Sequence, residues 1–144
     1  MPLHLIKLCV GAESIEDLEQ WIAERIAERR KRGEPQLSLH VTRMAPKRAA
    51  ELLDGGSLYW VIRGQVAARQ RLKQIETFMD ADGIGRCRLW MEPKVTPVLP
   101  RPYRPFQGWR YLAPKDAPPD LRGRGDIAEM PEALRRELSG LGLL

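Results

Sequence analysis

Long apolar runs are missing from this sequence. No stretch approaches the ~20 apolar residues that a membrane-spanning helix needs, so a membrane protein is not expected. The start, Met1-Pro2-Leu3-His4-Leu5-Ile6-Lys7, has no basic segment ahead of a long apolar one and no small-residue cleavage site, so a secretory signal is not expected either. Cysteine is scarce: Cys9 and Cys87 lie far apart in apolar settings, which argues against a disulfide scaffold and suits a reducing, cytoplasmic compartment. Histidine is as scarce, and neither His4 nor His40 stands in a paired zinc-ligand motif, so no metal or other cofactor is expected. There is no Walker loop, dinucleotide fingerprint or nucleophile elbow; Gly55-Gly56 and Gly83-Ile84-Gly85 read as turns. Whether the chain is an enzyme stays open on these grounds.

What is present is a chain of 144 residues, enough for about one domain with one core. Its net charge of +5 is unevenly spread. Residues 1–36 and 113–144 each balance to −1, whereas residues 37–112 carry +7. Of the 24 basic residues 18 are arginine, the residue suited to planar, bidentate recognition of phosphate or carboxylate. Eight of the nine aromatic residues fall in the same central stretch, between Tyr59 and Tyr111. Interleaved arginines and aromatics suit a nucleic-acid surface, and equally a core with a solvated basic face.

Periodicity gives the elements. Leu3 to Val10 reads as a strand ended by Gly11. Ser14 is an N-cap with Asp17 three residues on, and Ile15, Leu18, Ile22 and Ile26 at helical spacing predict a long helix from about Ser14 to Lys31. Its late arginines (Arg29, Arg30, Arg32) suit the helix dipole better than a binding patch. Leu37–Thr42 alternates as a strand, Pro46 opens a short helix through Leu53, and Leu58–Arg63 is a further strand. Residues 65–79 fit either helix or strand; the strand is favoured, with Asp80-Ala81-Asp82-Gly83 turning into a return arm over Arg86–Met91. Pro93, Pro97, Pro100, Pro102 and Pro105 hold an extended strap outside any central strand position. Residues 1–112 form the domain, and 113–144 a strap followed by a short helix from Pro131 with Leu134, Leu138 and Leu141 on one side.

Two stretches break local rules. Thr42-Arg43-Met44-Ala45-Pro46-Lys47-Arg48 puts three basic residues at the start of the expected Pro46 helix, where the dipole is already positive and each costs roughly 0.3 to 1 kcal/mol. A bound anion would reverse that cost; the plainer alternative is that Arg48 pairs with Glu51 or Asp54. The segment Arg101 to Leu112 combines extended backbone with three arginines and four aromatics. Phe106 and Trp109 are best placed as core plugs, while Arg104, Gln107 and Arg110 are candidate ligand contacts.

The strings Thr42-Arg43-x-x-Pro46-Lys47-Arg48, Gly55-Gly56-Ser57-Leu58-Tyr59-Trp60-Val61-Ile62 and Phe106-Gln107-Gly108-Trp109-Arg110-Tyr111-Leu112 resemble a bacterial family catalogued as domain of unknown function 1489. The resemblance runs from about Leu3 to Leu121 and brings no established activity. A looser likeness of fold is to the small RNA-binding barrels of the pseudouridine-synthase and archaeosine-transglycosylase type, an analogy that does not fix function.

The expected fold is α+β: a mainly antiparallel, strongly curved sheet or partly open barrel with the Ser14 helix packed on one side. The favoured function is binding of nucleic acid, RNA before DNA, because aromatic-rich sheets read unstacked bases. The candidate phosphate contacts are Arg43, Lys47, Arg48, Arg63, Arg69, Arg71, Arg104, Gln107 and Arg110. The alternatives are an enzyme acting on a phosphorylated small molecule or nucleotide, and a protein-interaction domain. The strand reading also expects Arg69, Arg71, Lys73, Arg86 and Arg88 to form one contiguous basic surface.

Overall fold

A computed structural model describes residues 2–121; the expected helix at Pro131 lies outside them. In chain order the elements are β1 (His4–Leu8), α1 (Ile15–Lys31), β2 (Ser38–Thr42), α2 (Ala49–Leu53), β3 (Ser57–Ile62), β4 (Gln65–Met79), β5 (Gly85–Met91), β6 (Thr96–Pro102) and β7 (Trp109–Leu112), then a 3-10 turn over Pro114–Asp116. The architecture is α+β. The strands form one seven-stranded sheet in the order β2-β5-β4-β3-β1-β7, with β6 on β4. Only the β1–β3 pair is parallel.

β4 explains the curvature. Its first half pairs with β3 and β6, its second half with β5, and the register shifts at Leu72/Gln74 where it passes between them. Such an irregularity bends and twists the strand, so β2 and β5 swing round toward β3. The closest sign of the curl is His40 on β2 meeting Trp60 on β3 edge-on, ring centroids 5.3 Å apart, although two strands separate them in the sheet. β2 and β7 are not paired strand to strand, so the sheet stays open.

Each face of the sheet has its own core, because alternate residues point to opposite sides. On one face Leu5, Leu58, Trp60, Leu72, Leu89 and Met91 pack with Leu18 and Ile22 of α1. On the other, Ile6, Tyr59, Val61, Val66 and Val98 pack with Phe106 and Leu112. Gln70 is a polar residue fully inside the first face. It is satisfied at both ends, accepting from Trp60 Nε1 at 2.9 Å and donating to the Glu92 carbonyl at 2.9 Å.

α1 is set by its cap: the Asp17 N–H donates to Ser14 Oγ at 3.1 Å, and Asp17 Oδ2 accepts from the Glu13 N–H at 3.2 Å. At 17 residues it is within the ordinary range for globular helices rather than long. Residues 65–79 are strand throughout. The proline-rich stretch does supply an edge strand, β6, and Phe106 is buried as expected. Leu58–Arg63 ends one residue early. Arg63 and Gly64 both have positive φ, 52° and 77°, the signature of a tight two-residue turn of the mirror-image type.

One element needs correction. The helix expected from Pro46 starts at Ala49, and Pro46 is instead buried in the preceding loop. At the 47–48 turn the Arg48 N–H donates to Tyr111 Oη of β7 at 3.1 Å, a partner 63 residues away. The remaining helix has five residues, too short to focus a dipole on an anion.

Candidate functional site

The expected basic surface is broken up by carboxylates. Arg69 makes a two-pronged pair with Asp120, 2.8 and 2.7 Å, and holds that carboxyl below its ordinary range. Arg86 pairs with Asp80 at 2.6 Å, Arg88 with Glu76 at 3.3 Å and Lys73 with Glu92 at 3.7 Å. Of those five, Arg71 alone has no carboxylate among the described residues within ion-pair distance. Arg48, a candidate anion contact, is held by Glu51 through two hydrogen bonds of 2.6 and 2.8 Å, which removes the main reason for an anion site at that helix. Arg63 lies 4.0 Å from Glu13 at the β3–β4 turn. Arg104 and Gln107 are exposed, and Arg110 stacks 4.7 Å over the Phe106 ring on the strap side. The nine candidates are therefore scattered over both faces.

A different set converges inside the curl. Lys7 follows Leu5 on the α1 side of β1, and its register neighbours are Trp60 on β3 and Trp109 on β7. His40 packs on Trp60 from β2, and the charges of Lys7 and of Arg25 on α1 both fall on its ring. Burial first, then those two cations, bring the His40 pKa down to about 4, so the imidazole is neutral at pH 7. Its Nε2 is buried with no hydrogen-bond partner. Burial also lowers the Lys7 pKa. Among the described residues neither Lys7 nor Arg25 has a carboxylate within ion-pair distance. Arg25 instead lies 4.1 Å over the ring of Trp21, which is 41% exposed.

The rim of this mouth is the β2–α2 loop, residues 43–48. Trp109 Nε1 donates to the Met44 carbonyl at 2.7 Å, and the Arg48–Tyr111 bond lies beside it, so the loop is tied to β7 at two points. Arg43 and Lys47 are carried on that loop, exposed and without ion pairs to described residues. Lys7 and Arg25 thus act on His40 beside Trp60, and the loop that follows β2 carries two further cations, Arg43 and Lys47. Two of these, Arg43 and Lys47, were readable from sequence. Lys7 and Arg25 were missed; the available signal was a lysine in phase with Leu3, Leu5 and Cys9 on an apolar strand face.

Two neighbouring features differ in character. An open groove of about 360 Å³ runs along α1, but its lining of Arg25, Arg29 and Arg32 is matched by Glu24, Glu28 and Glu34. On the opposite face His4 accepts from the Ser57 N–H through Nδ1 at 3.0 Å, sits edge-on to Tyr59 and is lowered to about 4 by burial and by Arg69. That cluster lies against the sheet, with Arg69 and Asp120 pinning the strap. Among the described residues no helix is long and apolar enough to cross a membrane.

No curated protein and no solved structure matches the chain, so the likeness to small RNA-binding barrels gains no support. One family model does match, over residues 5–144, and apart from His4 at the start of β1 it takes in every strand and helix described above. The chain belongs to the family described as Protein of unknown function (DUF1489).

Proposed function

We propose that the protein binds a nucleotide unit at the mouth of the curled sheet, either as a free nucleotide or as part of a single-stranded RNA. One observation carries this: Lys7, half-buried and flanked in register by Trp60 and Trp109, has no described carboxylate within ion-pair distance, and its charge falls with that of Arg25 on a neutral His40. A half-buried cation such as Lys7 without a carboxylate at ion-pair distance is costly to hold, and an anion relieves that cost. Phosphate satisfies the cations, and the partly exposed ring of Trp109 offers a surface on which a base can stack. Arg43 and Lys47 on the rim extend the positive field outward. The ion pairing of Arg69, Arg86 and Arg88 counts against a broad groove on the strap side and in favour of a local site.

Titration of tryptophan fluorescence with uridine monophosphate and with a short single-stranded RNA, each over a range of salt, tests the reading. Saturable binding that Lys7→Gln and Arg25→Gln weaken supports it. An RNA lying along several cations loses affinity with a slope of about −0.7 per phosphate, whereas a single nucleotide gives a shallow slope. Absence of binding by both ligands at low salt refutes the proposal.

A further inference from the structure

We infer that residues 122–144 dock on the face of β2, β5 and the second half of β4 that lies away from α1, with Leu134, Leu138 and Leu141 covering an apolar layer there. The inference stands apart from the nucleotide reading and concerns the other side of the sheet. In register Leu39 pairs with Trp90 and Val41 with Arg88 across β2–β5, and Phe78 pairs with Arg86 across β4–β5. Their alternates Leu72, Cys87, Leu89 and Met91 fill the α1-side core, so Leu39, Val41, Phe78 and Trp90 share the outer face. None of these four belongs to either described core; Val41 is 42% exposed and the other three are half-buried. The charges around them are matched within the face, Arg86 by Asp80 and Arg88 by Glu76. The guanidinium groups of Arg29 and Arg88 lie over the Trp90 and Phe78 rings. Such a face calls for an apolar cover rather than for an anion.

The course of the chain at Leu121 favours its own continuation as that cover. Asp120 bridges Val98, and the Leu121 N–H donates to the Pro97 carbonyl at 2.9 Å, so the chain runs antiparallel to β6. β6 is itself antiparallel to β4, and the chain therefore leaves in the direction of β4, past Thr96. Ala68 and Arg69 pair with β3 on one edge of β4 and with β6 on the other, the edge that β5 occupies further along, so this course leads toward β5. Arg69 pairs in register with Tyr59 of the strap-side core and holds Asp120, which keeps the chain on the outer face. Residues 131–144 would run ~21 Å as a helix. The second half of β4, residues 72–79, is about 25 Å long. Leu134, Leu138 and Leu141 recur at helical spacing and form one apolar stripe. The matched family model also runs through residue 144, so the family shares this segment together with the sheet.

The test uses the full chain in solution NMR. Methyl protons of Leu134, Leu138 and Leu141 should give nuclear Overhauser contacts to the rings of Phe78 and Trp90 within one molecule. Contacts seen only between differently labelled molecules would mean that a second copy covers the face, and contacts to neither ring would mean that the segment lies elsewhere; both overturn the inference. A second measurement combines Leu134→Asp with Leu138→Asp and reads a soluble paramagnetic probe. Relaxation of the Val41 methyls and the Trp90 indole should rise severalfold in the double variant, while Val61 beneath the strap stays unchanged. Val41 and Trp90 relaxing as in the native chain would overturn the inference. The Overhauser contacts need no variant, so the test stands even if the double substitution does not fold.

Discussion

Lowering the pH from 7 to 5 should destabilise this fold through its two histidines. Both imidazoles are lowered from 6.5 to about 4, principally by burial, so the unfolded chain takes up protons that the folded chain refuses. Their contribution is complete above pH 6.5 and is lost as the pH falls toward 4. With these values each histidine loses about 2 kcal/mol between pH 7 and 5, about 4 kcal/mol for the pair. The figure is a ceiling for His40, which as a whole residue is half-buried where His4 is buried. His4 has a second reason to resist protonation, since its Nδ1 accepts the Ser57 N–H and a proton there would displace that bond. Carboxylates do not confuse this window. Asp80 and Asp120 are held below their ordinary range by Arg86 and Arg69, so their contributions are lost only below about pH 4. Urea unfolding at pH 7 and pH 5, for the native chain and for His4→Gln and His40→Gln, measures the effect. Each variant should lose part of the pH dependence, His4→Gln the larger part. Equal stability at the two pH values, or histidine resonances titrating near 6.5 in the folded protein, would refute the reasoning.

Three substitutions test the packing. Gly56→Ala puts a Cβ 2.2 Å from the Leu3 carbonyl oxygen and 2.3 Å from that of Leu52, so the backbone must move; calorimetry should show a loss of about 3 kcal/mol or failure to fold. Arg63→Asn places a residue that tolerates positive φ at the β3–β4 turn, where φ is 52°, and should raise the melting temperature by an amount corresponding to about 0.5 to 1 kcal/mol; a lower melting temperature would count against the turn geometry. Gln70→Leu leaves Trp60 Nε1 and the Glu92 carbonyl without partners and should cost about 2 to 4 kcal/mol in denaturant unfolding, with a neutral result showing that water replaces the amide.

Local signals in the sequence reached the strands and the first helix because their causes are local: Ser14 and Asp17 cap α1 four residues apart at most, and Arg63-Gly64 closes a two-residue hairpin. The choice of strand for 65–79 succeeded because both the β3 turn and the Asp80 turn supply hairpin partners for it. Contacts across the chain were not legible. Tyr111 takes the Arg48 N–H over 63 residues, and Asp120 captures Arg69 over 51. The pairing of Arg88 with Glu76, by contrast, follows from the β4–β5 register and could have been read once the hairpin was accepted. The mouth was illegible as a whole, since bringing Lys7, Arg25 and His40 together depends on the bend of β4 at Leu72/Gln74.

That convergence can be read directly from the two histidine rings, which lie on opposite faces of the sheet and are the only two in the chain. Proton titration of both by NMR, without ligand and with saturating uridine monophosphate, follows each face separately. A phosphate held by Lys7 and Arg25 cancels the positive field on His40, so its pKa should rise from about 4 toward its ordinary value while that of His4 stays in place. An unmoved His40 at ligand saturation, or a shift confined to His4, would contradict the site.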